Sequence, residues 1–196
     1  MTPRPSPSLS LIAAALLAAC GGGGNPLANP DSVANPGQTT GQKLSFIYFQ
    51  RCINPIYLMP LSVNQNGVVT TNTCASVGCH DDAKGTGGAL RLIGAAQPVD
   101  LADPANTPDA VRATDMYKNF YSSQGATVIG APAESRLLAK PLLTTLHGGG
   151  RIFFDLDDAN AKRIAYWIGR PMPQGQDEFS VAGNSMLSAS GECLDQ

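Results

Sequence analysis

The residues best equipped for chemistry lie in one heptapeptide, Cys74-Ala75-Ser76-Val77-Gly78-Cys79-His80. Two thiols stand with four residues between them, and a histidine directly follows the second. C-x-x-C-H is the signature of covalent c-type haem attachment, and this run is that pattern with two further residues between the cysteines. In that chemistry the thiols add to the two porphyrin vinyl groups, and the adjacent histidine reaches the iron as proximal ligand. The wider spacing requires a bulge or a tighter coil, which Val77-Gly78 suits because glycine accepts backbone angles other residues refuse. Without a cofactor, the same stretch reads as a small Cys74–Cys79 disulfide loop beside a bystander histidine.

The chain has two histidines, and the second, His147, opens the run His147-Gly148-Gly149-Gly150. Consecutive glycines let backbone come close to a bulky flat partner where side chains would prevent it, which is what a distal-ligand loop in a haem protein requires. Arg91 suits a propionate, since a guanidinium fork matches a carboxylate bidentately; the alternative is a solvated surface arginine. By type alone, Cys74, Cys79, His80 and His147 also form a Cys2His2 zinc set. Against that, adjacent Cys79 and His80 would strain a tetrahedral site, and free thiolates survive poorly in an oxidising compartment.

Several elements must position these residues. Leu44, Ile47, Tyr48 and Cys52 share the face of one helix, which Pro55 is expected to end or kink. Asn66-Gly67 between valine-rich runs signals a small hairpin. Thr73 is the expected N-cap of a short helix carrying Cys74 to His80. Thr107-Pro108-Asp109 opens a helix that stops near Gly125. Ser135 to Lys140 is a short helix stopped by Pro141. Asp155-Leu156-Asp157-Asp158 opens a last helix with Leu156, Ala159, Ile164, Trp167 and Ile168 as its apolar stripe, closed by Gly169 and Pro171.

Composition limits the function further. The chain has 196 residues with 21 glycines, 15 prolines and 14% charged residues, enough for one core with many loops. A net charge of -2 offers no electrostatic case for nucleic acid. Residues 1–19 carry one positive charge, Arg4, and an apolar run too short to span a bilayer, which reads as a signal peptide. Leu17-Ala18-Ala19-Cys20 resembles the bacterial lipobox, implying cleavage before Cys20, lipidation of its thiol, and anchoring to a membrane rather than spanning it. Gly21 after that cysteine resembles an outer-membrane sorting signal. Residues 20–41, rich in Gly, Pro and Asn, read as a disordered tether. Residues 42–196 are then the folded domain.

Across residues 72–169 the chain resembles the small c-type cytochrome domains of bacterial envelope proteins. The likeness rests on Cys74-x4-Cys79-His80, Gly87-Gly88-Ala89-Leu90-Arg91-Leu92, Leu137-Leu138-Ala139-Lys140-Pro141, His147-Gly148-Gly149-Gly150 and Trp167-Ile168. The four-residue cysteine spacing departs from the usual two. The resemblance implies a mostly α fold, a small cytochrome c-like helical domain with long loops around one covalent haem c. It implies thioether links at Cys74 and Cys79, His80 as proximal ligand and His147 as distal ligand, with Met172 in Pro171-Met172-Pro173, or an open distal position, as the alternatives. With Cys20 lipidated and two cysteines on haem, Cys52 and Cys193 remain to pair in an oxidising compartment. The function expected is electron transfer between redox partners of the cell envelope rather than catalysis. The competing expectation is a non-haem envelope lipoprotein, stapled by disulfides or holding zinc, with a structural or binding role.

Overall fold

The aromatic segment that begins at Leu44 is the pivot of the core. A computed structural model describes residues 41–196; the signal peptide, Cys20 and nearly all of the expected tether lie outside the described residues. Ser45 caps the first helical turn, its Oγ accepting from Tyr48 N at 3.2 Å. Helix α1 (Phe46–Tyr48) runs into a π turn (Phe49–Ile53) and then helix α2 (Asn54–Leu58). Pro55 therefore does not end the helical path. It sits in the first turn of α2, where its missing N–H costs little, and the π turn upstream absorbs the register change, with Asn54 N–H reaching back to Phe49 O.

This path buries nearly all its large side chains. Phe46, Tyr48, Phe49 and Ile53 are fully inaccessible. Phe49 lies 5.5 Å from Phe120 and 5.4 Å from Trp167, measured between ring centres. Phe46 meets Phe120 edge-on at 5.5 Å. Such contacts add about 0.5–1.5 kcal/mol per pair beyond area burial. The Trp167 indole N–H donates to Ser45 O at 3.0 Å, so the one tryptophan joins the last helix to the first.

Strands β1 (Leu61–Gln65) and β2 (Val68–Asn72) form an antiparallel hairpin, with Leu61 opposite Asn72 and Gln65 opposite Val68. Its turn has positive φ at both Asn66 (54°) and Gly67 (86°), the conformation for which Asn-Gly is selected. Leu61 packs inward while all of β2 but Asn72 is exposed.

The helix expected from Thr107 to Gly125 is two helices. Thr107 caps α3 (Pro108–Arg112) and Thr114 caps α4 (Asp115–Gln124), each hydroxyl accepting a backbone N–H three residues on. A second capping threonine with an acid after it restarts the helix. Helix α5 (Arg136–Ala139) is short. Helix α6 (Ala159–Gly169) starts later than expected because Asp158 is its cap, accepting from Asn160 N and Ala161 N. Leu156 consequently precedes the helix and is exposed, while Ile164, Trp167 and Ile168 are buried. Short helices and one two-stranded sheet, separated by long turns, make up the described residues. None of these helices is long and apolar enough to cross a membrane.

Cys52 and Cys193 are joined by a disulfide, Cα to Cα 5.8 Å. The tail is held there also by Leu194 N–H on Met186 O at 3.2 Å and by the Tyr48 hydroxyl donating to Leu194 O.

Candidate functional site

Residues 73–80 form consecutive turns rather than the expected helix. Thr73 contributes its carbonyl, accepting from Ser76 N at 3.2 Å; Cys79 N and Asp81 N both return to Ser76 O, and His80 N spans back to Cys74 O at 2.9 Å. Four intervening residues, one of them Gly78, are closed by these wide loops instead of a regular i to i−4 ladder. Ala75 N donates to Tyr57 O at 3.1 Å, which ties the segment to α2.

His80 is placed from the opposite side. Leu92 N donates to His80 O at 2.8 Å and Asp82 N to Leu92 O at 3.0 Å, so residues 90–93 run beside the histidine. That run is held in turn by α4. Ser122 Oγ accepts from Arg91 N at 2.7 Å. The wholly buried Asn119 accepts from Ile93 N at 2.7 Å and donates to Ile93 O at 3.1 Å. At the end of this relay His80 Nδ1 meets Leu90 O at 3.1 Å. A carbonyl only accepts, so the Nδ1 proton is assigned and Nε2 keeps its lone pair. His80 is held below its ordinary value, first by burial and then by the His147 and Arg91 charges, against the opposing pull of the Leu90 and Gly87 backbone. It is a neutral imidazole at neutral pH.

His147 is placed by different elements. Past the end of helix α5, Leu143 lies in the left-handed region (φ 59°), with Thr144 N on Ala139 O and Leu143 N on Lys140 O; this pair of bonds reverses the chain. Lys140 Nζ donates to Leu146 O at 3.2 Å. On the other side the hairpin grips the loop: Gln65 Nε2 donates to Gly148 O at 2.8 Å, and Asn64 and Arg151 exchange backbone bonds of 2.9 and 2.8 Å. Within the loop His147 Nδ1 meets Gly150 O at 2.7 Å. The same argument leaves Nε2 of His147 free.

The two imidazoles border one cavity of about 880 Å³, their ring centres 6.2 Å apart and their planes within 10°. Two metal–imidazole bonds of about 2.0–2.1 Å each, plus about 1.1 Å from each nitrogen to its ring centre, require a separation of about 6.2–6.4 Å. With each Nε2 on the line between the ring centres, that separation matches one metal ion held between the two imidazoles. Cys74 and Cys79 border the same cavity and are both free thiols. Burial, then the neighbouring Cys79, pushes the Cys74 thiol up to about 12. Among the described residues no three His, Cys, Asp or Glu side chains form a group that could hold a metal ion.

Charge in the cavity wall is of one sign. Arg91, Arg136 and Lys140 line it, and among the described residues no carboxylate does. Arg91 is partly committed, its Nη1 donating to Asp81 O and Gly85 O. Arg136 and Lys140 read along the chain only as part of a short helix; their four-residue spacing, which puts both on one face, was the available signal. Tyr57 also lines the cavity, with its hydroxyl buried and without a hydrogen-bond partner among the described residues. The adjacent Ser123 hydroxyl donates to Asn119 O instead, at 2.7 Å. Burial raises the Tyr57 phenol well above its ordinary value, opposed by Ser123 and reinforced by Cys74.

Met172 is not brought to the site. It is buried outside the cavity wall, with its backbone N–H on Lys43 O at 2.7 Å. Trp167 likewise belongs to the core. The three glycines after His147 serve different ends. Gly149 packs against the His147 ring, where a Cβ would stand 3.1 Å from Cε1, whereas a Cβ on Gly150 would lie 2.4 Å from Asn64 O. Gly150 makes room for the hairpin, not for a flat ligand. Gly87 likewise abuts His80, where a Cβ would lie 2.5 Å from Nδ1. Set against known protein families, curated proteins and solved structures, the chain matches none.

Proposed function

We propose that this chain is a c-type cytochrome, an electron carrier of the bacterial cell envelope. One haem c is bound through thioethers at Cys74 and Cys79, with His80 and His147 as the two axial ligands. In this reading the helical domain is cytochrome c-like and a lipidated Cys20 tethers it to a membrane, on the sequence argument the outer one. The observation that carries the proposal is the imidazole pair, spaced 6.2 Å and near-parallel, with each Nδ1 tied to a backbone carbonyl.

The rest of the wall suits such a ligand. Two thiols border the same cavity, and S–H is the group that adds across a vinyl double bond. The cations Arg91, Arg136 and Lys140 match carboxylate tails. Two histidines fill both axial positions and leave none open to a substrate, which favours electron transfer over catalysis. Ligation by two histidines also sets a lower reduction potential than a methionine ligand would.

The test is a haem-stained denaturing gel with intact mass, on protein exported in cells that attach haem covalently. Haem that survives denaturation, with a low-spin spectrum lost in His147→Ala and kept in Met172→Ala, is the expected result. A chain mass without haem, whether Cys74 and Cys79 are free or joined to each other, overturns the proposal.

A further inference from the structure

We infer that the fold itself, not the thioether bonds, seats the iron porphyrin: this chain binds it reversibly through His80 and His147 before either cysteine reacts. The inference rests on the haem reading above and concerns what holds the ligands in place.

Each imidazole is fixed by contacts that involve neither a metal nor a cysteine side chain. His80 is oriented by Leu90 O, and residues 91–93 are pinned by Asn119 and Ser122 of α4. His147 is oriented by Gly150 O, and its loop is zipped to the hairpin through Asn64 and Gln65. Gly87 closes against His80 so tightly that an added methyl would displace its ring, and Gly149 lies close enough to His147 that a methyl would press on its edge. Ligands held in position by their surroundings lose little freedom on binding, so more of the coordination energy appears as affinity. The cationic wall and the apolar residues that line the cavity with it add attraction that is likewise independent of a covalent bond. Cys74 and Cys79 then serve retention: each adds S–H across a vinyl double bond, sulfur and hydrogen ending on its two carbons, with no other reactant.

The test uses the full chain carrying Cys74→Ala and Cys79→Ala, exported so that the Cys52–Cys193 disulfide forms, and titrated with hemin. The expected result is one equivalent bound with the low-spin spectrum of two imidazoles. His147→Ala or Gly87→Ala in that background should weaken binding by about 10–100-fold, the range typical of lost ligand support. The inference is overturned if the cysteine-free chain unfolds at the same urea concentration as the parent apoprotein yet binds no hemin, while the parent still acquires covalent haem. If the parent neither acquires covalent haem nor binds hemin, the haem reading itself falls, and this inference with it.

Discussion

Alanine substitution at each glycine of His147-Gly148-Gly149-Gly150 should give three different outcomes. Gly150 has φ of +81°, and a Cβ there would lie 2.4 Å from Asn64 O and 3.2 Å from Gln65 Cα. The left-handed conformation alone costs alanine about 1–2 kcal/mol. Relieving the clash must part the loop from the hairpin and break the two Asn64–Arg151 backbone bonds, each worth about 0.5–1.5 kcal/mol. Gly150→Ala is therefore expected to destabilise by about 2–5 kcal/mol. Gly148 has nothing within 4 Å of an added Cβ, so Gly148→Ala should stay within about 0.5 kcal/mol of the parent. Gly149→Ala should cost less than Gly150→Ala, because its nearest contact, at 3.1 Å, is the edge of the His147 ring. Its effect should appear instead as a shifted spectrum of bound hemin, since the ring must move. Urea unfolding followed by the fluorescence of the buried Trp167 measures all three. Equal costs at positions 148 and 150, or an unaffected Gly150→Ala, would refute the reasoning that the hairpin clasps the His147 loop.

Three further outcomes are expected. Replacing Cys52 and Cys193 by alanine opens a loop whose ends are 141 residues apart, and should lower the unfolding free energy by about 2–5 kcal/mol; a urea midpoint unchanged by this pair would count against a structural disulfide. Glu178 is buried and accepts from Tyr117 Oη at 2.8 Å and Arg112 Nε at 3.1 Å. Burial alone would raise its carboxyl, but its own backbone N–H, Tyr117 and Arg112 together hold it below the usual value. Its contribution is thus fully present above the unfolded carboxylate value of about 4.3 and is lost as pH falls through the depressed folded value. Glu178→Gln should cost about 1–3 kcal/mol at pH 7 and flatten the fall in stability towards pH 3, read from urea midpoints at several pH values; an unaltered acid slope would reject the assignment. Neutralising Arg136 and Lys140 to glutamine should weaken hemin binding by about tenfold or more and reduce its salt dependence, both read from titrations at two ionic strengths; affinity unchanged in the double variant would place the anionic edge elsewhere.

Much of the site's chemistry was present in residue types alone. Only two histidines exist, one beside two thiols and one before three glycines, so the candidate ligands could be named without coordinates. The cap-forming residues Thr107, Thr114 and Asp158 act within a few residues of themselves, and local bonds of that kind are readable along the chain. Where local signals competed, the structure chose. Thr114 split one expected helix into two, and the turns around Ser76 O replaced the short helix expected after Thr73. Pro55 was passed by a π turn that no periodicity announces, because the aromatic core on both sides offsets the irregular backbone.

Residue types and their order along the chain supplied the inventory: two imidazoles, two thiols beside the first of them, and a further cysteine pair at positions 52 and 193. Tertiary structure alone decided the distances. The 6.2 Å between rings depends on α4 holding residues 91–93 on one side and the hairpin holding residues 148–151 on the other. Those bonds join residues 26 to 87 positions apart, and no local pattern encodes them. The same is true of the cavity's single-signed wall: Arg91 and Arg136 face one space only because the core brings their segments together. Met172, equally suited as a ligand by type, is carried away from that space by its backbone bond to Lys43.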